Sequence, residues 1–227
     1  TGINMSNLYL HDPSIEADAI RFLESDNLLS ENVLVIGAAG MLGSYLSGLF
    51  SRINILSGGT KRVYAFVRTE SSYLKMLSEN SQLKIHDIAE FEDIANDLND
   101  IHVIHAASPA SITSHQKNKK DMIESNVFLT HRVCETLSRT KGHLTYLSSG
   151  EVYGNNPVIP TKEDDYSSYD HLDTRGSYPA SKSMGELIVK TWSESMDFSS
   201  TALRVYHTFG PGLKLKDDRI FAVALNA

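Results

Sequence analysis

The segment Val33-Leu-Val-Ile-Gly37-Ala-Ala-Gly40-Met-Leu-Gly43 constrains this chain more than any other. A short apolar run makes a buried strand, the glycines punctuate a turn, and Leu42, Tyr45, Leu46, Leu49 and Phe50 follow at helical spacing. A strand that feeds a glycine turn and a helix N-terminus offers free backbone N–H groups and the positive end of a helix dipole, a setting suited to an anionic phosphate. Gly37 then serves the tight turn, Gly40 the close approach of a pyrophosphate, and Gly43 the packing of the helix, with Met41 and Leu42 opening that helix beside the phosphates. The spacing is Gly-x-x-Gly-x-x-Gly rather than Gly-x-Gly-x-x-Gly.

Downstream, the pattern predicts strands at Val63–Val67, Leu83–Asp87, His102–Ala106, His143–Leu147 and Thr201–Val205. Helices are expected at Phe91–Leu98, Asp121–Arg139 and Pro179–Ser195. Such alternation predicts an α/β fold with a doubly wound parallel sheet, Rossmann-like, over residues 31–205. Residues 1–30 read as an N-terminal helical extension, because Ile15, Ala19, Phe22 and Leu23 recur at helical spacing after the capping pair Asp12-Pro13. Residues 155–177, polar and rich in turn formers, read as an excursion on the substrate side of the sheet.

With 227 residues, 41% of them hydrophobic and 22% charged, the chain can bury a full core. A formal charge of −7 and the lack of a basic stripe argue against nucleic-acid or acidic-membrane partners. One cysteine, Cys134, excludes an internal disulfide and sits among Val127, Phe128, Val133 and Leu137 as a buried helix position. With no long apolar run and no leader pattern, a cytoplasmic protein without a membrane span is expected. No metal site is expected, since His102 and His105, three apart on a strand, point to opposite faces.

The chemistry concentrates in Ser148-Ser149-Gly150-Glu151-Val152-Tyr153-Gly154 and Tyr178-Pro-Ala-Ser-Lys182. Four residues apart on a helix, Tyr178 and Lys182 share a face, and an ammonium beside a phenol favours the phenolate that a general base needs.

Together with His105-Ala-Ala-Ser-Pro-Ala-Ser111, Asn126 and Arg204-Val-Tyr-His-Thr-Phe-Gly-Pro211, these motifs resemble the extended short-chain dehydrogenase/reductase family. The resemblance runs from Val33 to Ala227 and is strongest to its UDP-glucuronate decarboxylases and 4,6-dehydratases of nucleotide sugars. It implies an enzyme that oxidises the sugar at C4 with NAD or NADP, Tyr178 taking the hydroxyl proton, Lys182 lowering the phenol's pKa and holding the nicotinamide ribose, and Ser149 bonding the C4 oxygen. Glu151 would act on the C5 hydrogen or serve the turn structurally. Gly150 departs from the family, standing where the dehydratases carry an acid and the decarboxylases usually a hydroxyl.

The resemblance further implies cofactor contacts from Asp87 and Ile88 after the third strand and from Ala106, Ala107 and Ser108 after the fourth. Arg68 follows the second strand, where an acidic residue would select NAD and an arginine can meet the 2′-phosphate of NADP or stack on adenine. His207 and Arg219 would reach the substrate diphosphate, residues 206–227 opening a nucleotide-sugar lobe whose remainder lies beyond the sequence. A 4-epimerase or 4-ketoreductase, which needs no C5 base, is the alternative, and a dinucleotide-binding sensor without turnover a further one. A homodimer through helices 121–139 and 179–195 is expected from the apolar residues on both, among them Met122, Ile123, Phe128, Met184, Leu187, Ile188 and Trp192.

Overall fold

The structure is a computed structural model that describes residues 12–25, 30–69, 71–109, 119–154, 159–165, 168–170 and 173–210. Its centre is a parallel sheet of β1 (Asn32–Ile36), β2 (Arg62–Val67), β3 (Leu83–Asp87), β4 (Ile101–His105), β5 (His143–Ser149) and β6 (Ser199–Val205). The strand order is β3-β2-β1-β4-β5-β6. The chain therefore winds outward from β1 to β3, returns to β4 beside β1, and winds the other way, which is the Rossmann-like topology the alternation predicts.

One face of the sheet carries Val33, Val35, Val63, Ala65 and Ile104, covered by α2 (Met41–Leu56) and α3 (Ser72–Asn80). The other carries Leu34, Ile36, Phe66, Val103, Leu144 and Tyr146 beneath α4 (Phe91–Asn96), α6 (Leu129–Thr140) and α7 (Ser177–Ser195). Strands buried on both faces read as continuous apolar runs, and all five residues of β1 are buried. Cys134 lies in the second core, where burial pushes its thiol up to about 12.

Helix α1 (Pro13–Glu24) forms as expected, Asp12 accepting from the Ser14 N–H and proline standing in the first turn. It packs on α2 with Ile15 and Ala19 fully buried and Phe22 edge-on to Phe50, and Arg52 forks onto Glu16. Helix α3 was not expected from the sequence: its four-residue apolar pattern Tyr73, Leu74, Met76 and Leu77 is short, and Ser71 supplies the cap by accepting from the Leu74 N–H.

The helix expected over 121–139 is broken by geometry rather than by a loop. Between α5 (Lys119–Ile123) and α6 lies a π turn, Glu124–Phe128, in which the Leu129 N–H reaches back to the Glu124 carbonyl. Within it Asn126 is fully buried, and its Nδ2 donates to Ser181 Oγ on α7 at 3.0 Å.

Helix α7 comes unusually near β5 because residue 185 is glycine: a Cβ there would lie 2.2 Å from the Tyr146 hydroxyl and 2.8 Å from the Asn126 carbonyl oxygen. Both neighbours are buried, so neither can yield freely. Gly185→Ala is accordingly expected to destabilise the fold by about 1–3 kcal/mol through overpacking, despite the better helix propensity of alanine, as read from the midpoint of urea unfolding.

Candidate functional site

Strands of a parallel sheet that run the same way end at one edge, and the described residues of the sequence-predicted site lie along it. At the switch point between β1 and β4 the two following loops touch. Gly37 has φ +81° and a Cβ on it would stand 2.5 Å from the Ala107 backbone, while a Cβ on Gly43 would stand 2.2 Å from the Gly37 carbonyl oxygen. Gly40 is different: it is exposed and meets only the Gly37 oxygen at 3.3 Å. The first and third glycines thus close the turn against β4 and α2, and the middle one leaves its surface open.

Gly40 is also the N-cap of α2, and no side chain caps that helix. The helix N-terminus, with Met41 and Leu42 in its first turn, stands beside the open surface of Gly40. Across the crevice Ala106 donates its N–H to the Ile36 carbonyl at 2.9 Å, and the buried Ser108 hydroxyl finds no partner among the described residues. An uncapped helix end, an open glycine and an orphaned hydroxyl are the donor set a dinucleotide pyrophosphate requires. The residues present therefore fit the pyrophosphate of a dinucleotide.

Farther along the edge, Arg68 follows β2 as an exposed side chain whose guanidinium lies 3.9 Å from the Asp121 carboxylate on α5. Asp87 ends β3 and accepts from the Ala89 N–H at 2.8 Å, Glu90 closing the reciprocal bond, so that Ile88 starts a tight helical turn over Ile88–Glu90. The capping role of Asp87 is a signal the sequence already held in Asp-Ile-Ala-Glu.

At the end of β5, Ser149 caps the turn Gly150–Tyr153 by accepting from the Glu151 N–H at 3.2 Å, which leaves the hydroxyl's own hydrogen to donate. Glu151 is exposed on that turn. Tyr178 and Lys182 lie on the buried face of α7, Lys182 only 2% exposed. Its Nζ donates to the Leu147 carbonyl at 2.6 Å and stands 4.8 Å from the centre of the Tyr146 ring, which ties α7 to the carboxyl end of β5 beside Ser149. His207 is exposed just beyond β6, and Arg219 lies outside the described residues.

Burial pushes the Lys182 ammonium down to about 7, Glu186 opposing the shift from one turn along the helix. His105, fully buried under the same ring, is driven down to about 3 by burial and by the Lys182 charge, and Thr130 Oγ1 holds its Nε2 at 3.1 Å. His102 faces the opposite side, paired with Thr145 and edge-on to His143, and burial holds it near 4. No group of metal-ligating side chains occurs among the described residues.

Two members of the site escape a linear reading. Glu186 accepts a two-pronged ion pair from Arg204, at 3.0 Å and 2.9 Å, together with the Ser148 hydroxyl. The Arg204 guanidinium also lies 4.6 Å from the Tyr153 ring centre and donates to the Glu163 carbonyl at 2.8 Å. The spacing of Glu186 one turn after Lys182 was the available hint.

The depressed value of Lys182 sets a pH signature. In the unfolded chain this lysine titrates near 10.5, so between about 7 and 10.5 the unfolded state holds the extra proton and stability drawn from this site rises with pH. Lys182→Met, which never carries the charge, should therefore gain stability relative to the parent at pH 6 and lose that advantage toward pH 9, with a slope of at most about 1.4 kcal/mol per pH unit. Urea unfolding of both proteins across that range checks it, and a constant difference would contradict a desolvated ammonium.

Comparisons with known proteins agree with this architecture. The chain is 24% identical over 209 residues to UDP-glucuronic acid decarboxylase 1 of Xenopus tropicalis, covering 88% of this chain and 46% of that protein. It is 27% identical over 190 residues to UDP-glucuronate 4-epimerase 2 of Arabidopsis thaliana, covering 79% and 42%. The chain thus spans about half the length of the curated relatives it matches. Among solved structures, UDP-glucuronic acid 4-epimerase from Bacillus cereus, in complex with UDP-glucuronic acid and NAD, superposes with a TM-score of 0.65 at 22% identity, covering 82% of this chain and 59% of that one. UDP-N-acetylglucosamine 4-epimerase from Methanobrevibacter ruminantium M1 gives 0.68 at 24% identity, covering 84% and 59%. Residues 33–227 match the family described as the NAD dependent epimerase/dehydratase family, and the chain belongs to it.

Proposed function

We propose that the protein acts on a nucleotide sugar through oxidation at C4, with UDP-glucuronate as substrate and decarboxylation as the net reaction. The observation that carries this reading is the bond from Lys182 Nζ to the Leu147 carbonyl, two residues before Ser149, which ties the helix that carries Tyr178 and Lys182 to the carboxyl end of β5. Bound on Gly37, Gly40, Met41, Leu42, Gly43, Ala106, Ala107 and Ser108, with Asp87 and Ile88 toward the adenine, the nicotinamide cofactor supplies the hydride acceptor. NAD is preferred over NADP. The family description names NAD, and Asp121 competes with any 2′-phosphate for Arg68.

In this reading Tyr178 accepts the proton of the C4 hydroxyl and Ser149 donates a hydrogen bond to the C4 oxygen. Lys182, poised near neutrality, holds the nicotinamide ribose and balances the phenolate. With C4 a ketone, the C6 carboxylate of a hexuronate is β to a carbonyl. Carbon dioxide then leaves and the C5–C6 electrons pass into a C4 enolate, which takes a proton at C5; the hydride first taken from C4 would return to the C4 ketone with a proton on its oxygen, giving the pentose. Glu151, on the turn beside Ser149, positions the leaving carboxylate or handles the C5 proton. His207 and Arg219 serve the diphosphate, and residues 206–227 open the lobe that holds the nucleotide.

A 4-epimerase is the second reading, favoured by the likeness to UDP-glucuronate 4-epimerases and by needing Tyr178, Lys182 and Ser149 but not Glu151. Incubation of the full-length protein with UDP-glucuronate and NAD, followed by product mass, separates the two, because only decarboxylation removes carbon dioxide. Tyr178→Phe should retain NAD binding and lose about 10²–10⁴ in turnover under either reading. Glu151→Gln should lose a comparable factor in a decarboxylase and keep parental turnover in an epimerase.

The same reading includes a homodimer. Ile123 and Phe128, on α5 and the π turn, and Met184 and Leu187 on α7 are large apolar side chains left exposed, whereas Met122 is fully buried and Ile188 and Trp192 pack against the core. Exposed apolar residues on two neighbouring helices suit a self-complementary two-fold contact. Sedimentation at micromolar concentration should give twice the chain mass, and Phe128→Glu with Leu187→Glu should give the monomer.

A further inference from the structure

Tyr206 is the first residue beyond β6, and it is 63% exposed at the same edge as the proposed active site. It rests on residue 150. A Cβ at Gly150 would lie 2.5 Å from Tyr206 Cε1 and 2.7 Å from Cδ1 and Cζ, so the ring occupies the space that any other residue's side chain would claim. Gly150 stands between Ser149 and Glu151, so the ring is seated beside both.

The seat is stiff. Tyr206 lies nearly parallel to the buried Tyr153 ring, 19° between planes and 6.5 Å between centres. Tyr153 in turn carries the Arg204 guanidinium, whose two-pronged hold on Glu186 and bond to the Glu163 carbonyl fix it to α7 and to the 159–165 segment. A large ring held by fixed neighbours yet open to solvent is an apolar surface prepared at little further entropic cost. A pyranose offers the matching chemistry: its hydroxyls point outward at the rim, and one face is lined by C–H bonds that pack on an aromatic ring as apolar surface.

We propose that Tyr206, seated on Gly150, is the platform on which the sugar ring of the substrate lies, orienting C4 and C5 toward Ser149 and Glu151. This rests on the nucleotide-sugar reading above. The glycine and the tyrosine act as a pair, since a side chain at 150 would lift the ring from its seat.

A nucleobase could also stack on such a ring, and calorimetric titration of the NAD-loaded full-length protein with UDP and with UDP-glucuronate tells the two apart. Tyr206→Ala should weaken UDP-glucuronate binding by about threefold to tenfold and leave UDP unchanged. Tyr206→Phe should restore the parental affinity, which excludes a simple folding defect, and Gly150→Ala should weaken UDP-glucuronate in the same direction. Equal losses for UDP and UDP-glucuronate, or no loss for either, would overturn the platform. Parental protein that binds NAD but neither UDP nor UDP-glucuronate would overturn the nucleotide-sugar reading itself, and the platform with it.

Discussion

The close approach of α7 to β5 is the constraint on which the rest of the site depends. An α-helix with an ordinary side chain at 185 would stand farther off, and Lys182 would not reach the Leu147 carbonyl. Because it does reach, the amine is drawn into a nearly dry cleft between Tyr146 and the strand end. Asn126 completes the contact from the π turn by donating to Ser181, whose own hydroxyl donates to the Tyr178 carbonyl, so that three elements meet at one seam.

Burial gives this amine a character that sequence spacing does not convey. A lysine four residues from a tyrosine reads as an ammonium, while Lys182 in the folded chain titrates close to neutrality and can hold or release its proton there. A neutral amine keeps N–H donors for the Leu147 carbonyl, so the seat survives either protonation state. Glu186 tempers the shift, and the Arg204 fork holds that carboxylate in place.

The fold was legible because buried parallel strands write themselves as short apolar runs, and each of the six strands was placed to within two residues. What stayed hidden was geometry made by distant parts of the chain. Helix α3 has only two turns and an apolar side too short to stand out. The π turn has no composition of its own, since Glu-Ser-Asn-Val-Phe would suit an α-helix equally, and the inward Asn126 selects it through Ser181, 55 positions away. Gly150 read as a missing acid when seen in line with its neighbours. In space it is the seat of an aromatic ring that arrives from beyond β6. Met122 read as part of an outward apolar stripe, yet it is fully buried against Ser177 at the start of α7.

That turn also fixes how the helix on this flank counts its residues. An α-helix advances about 100° per residue, so the single additional residue within Glu124–Phe128 swings everything before it by roughly that angle relative to everything after. Thr130, Val133 and Leu137 face the core on the far side, and Met122 faces it on the near side. Phase, rather than composition, thus decides which side chains this flank shows to the outside. A chain one residue shorter here would keep every residue type and present a different surface.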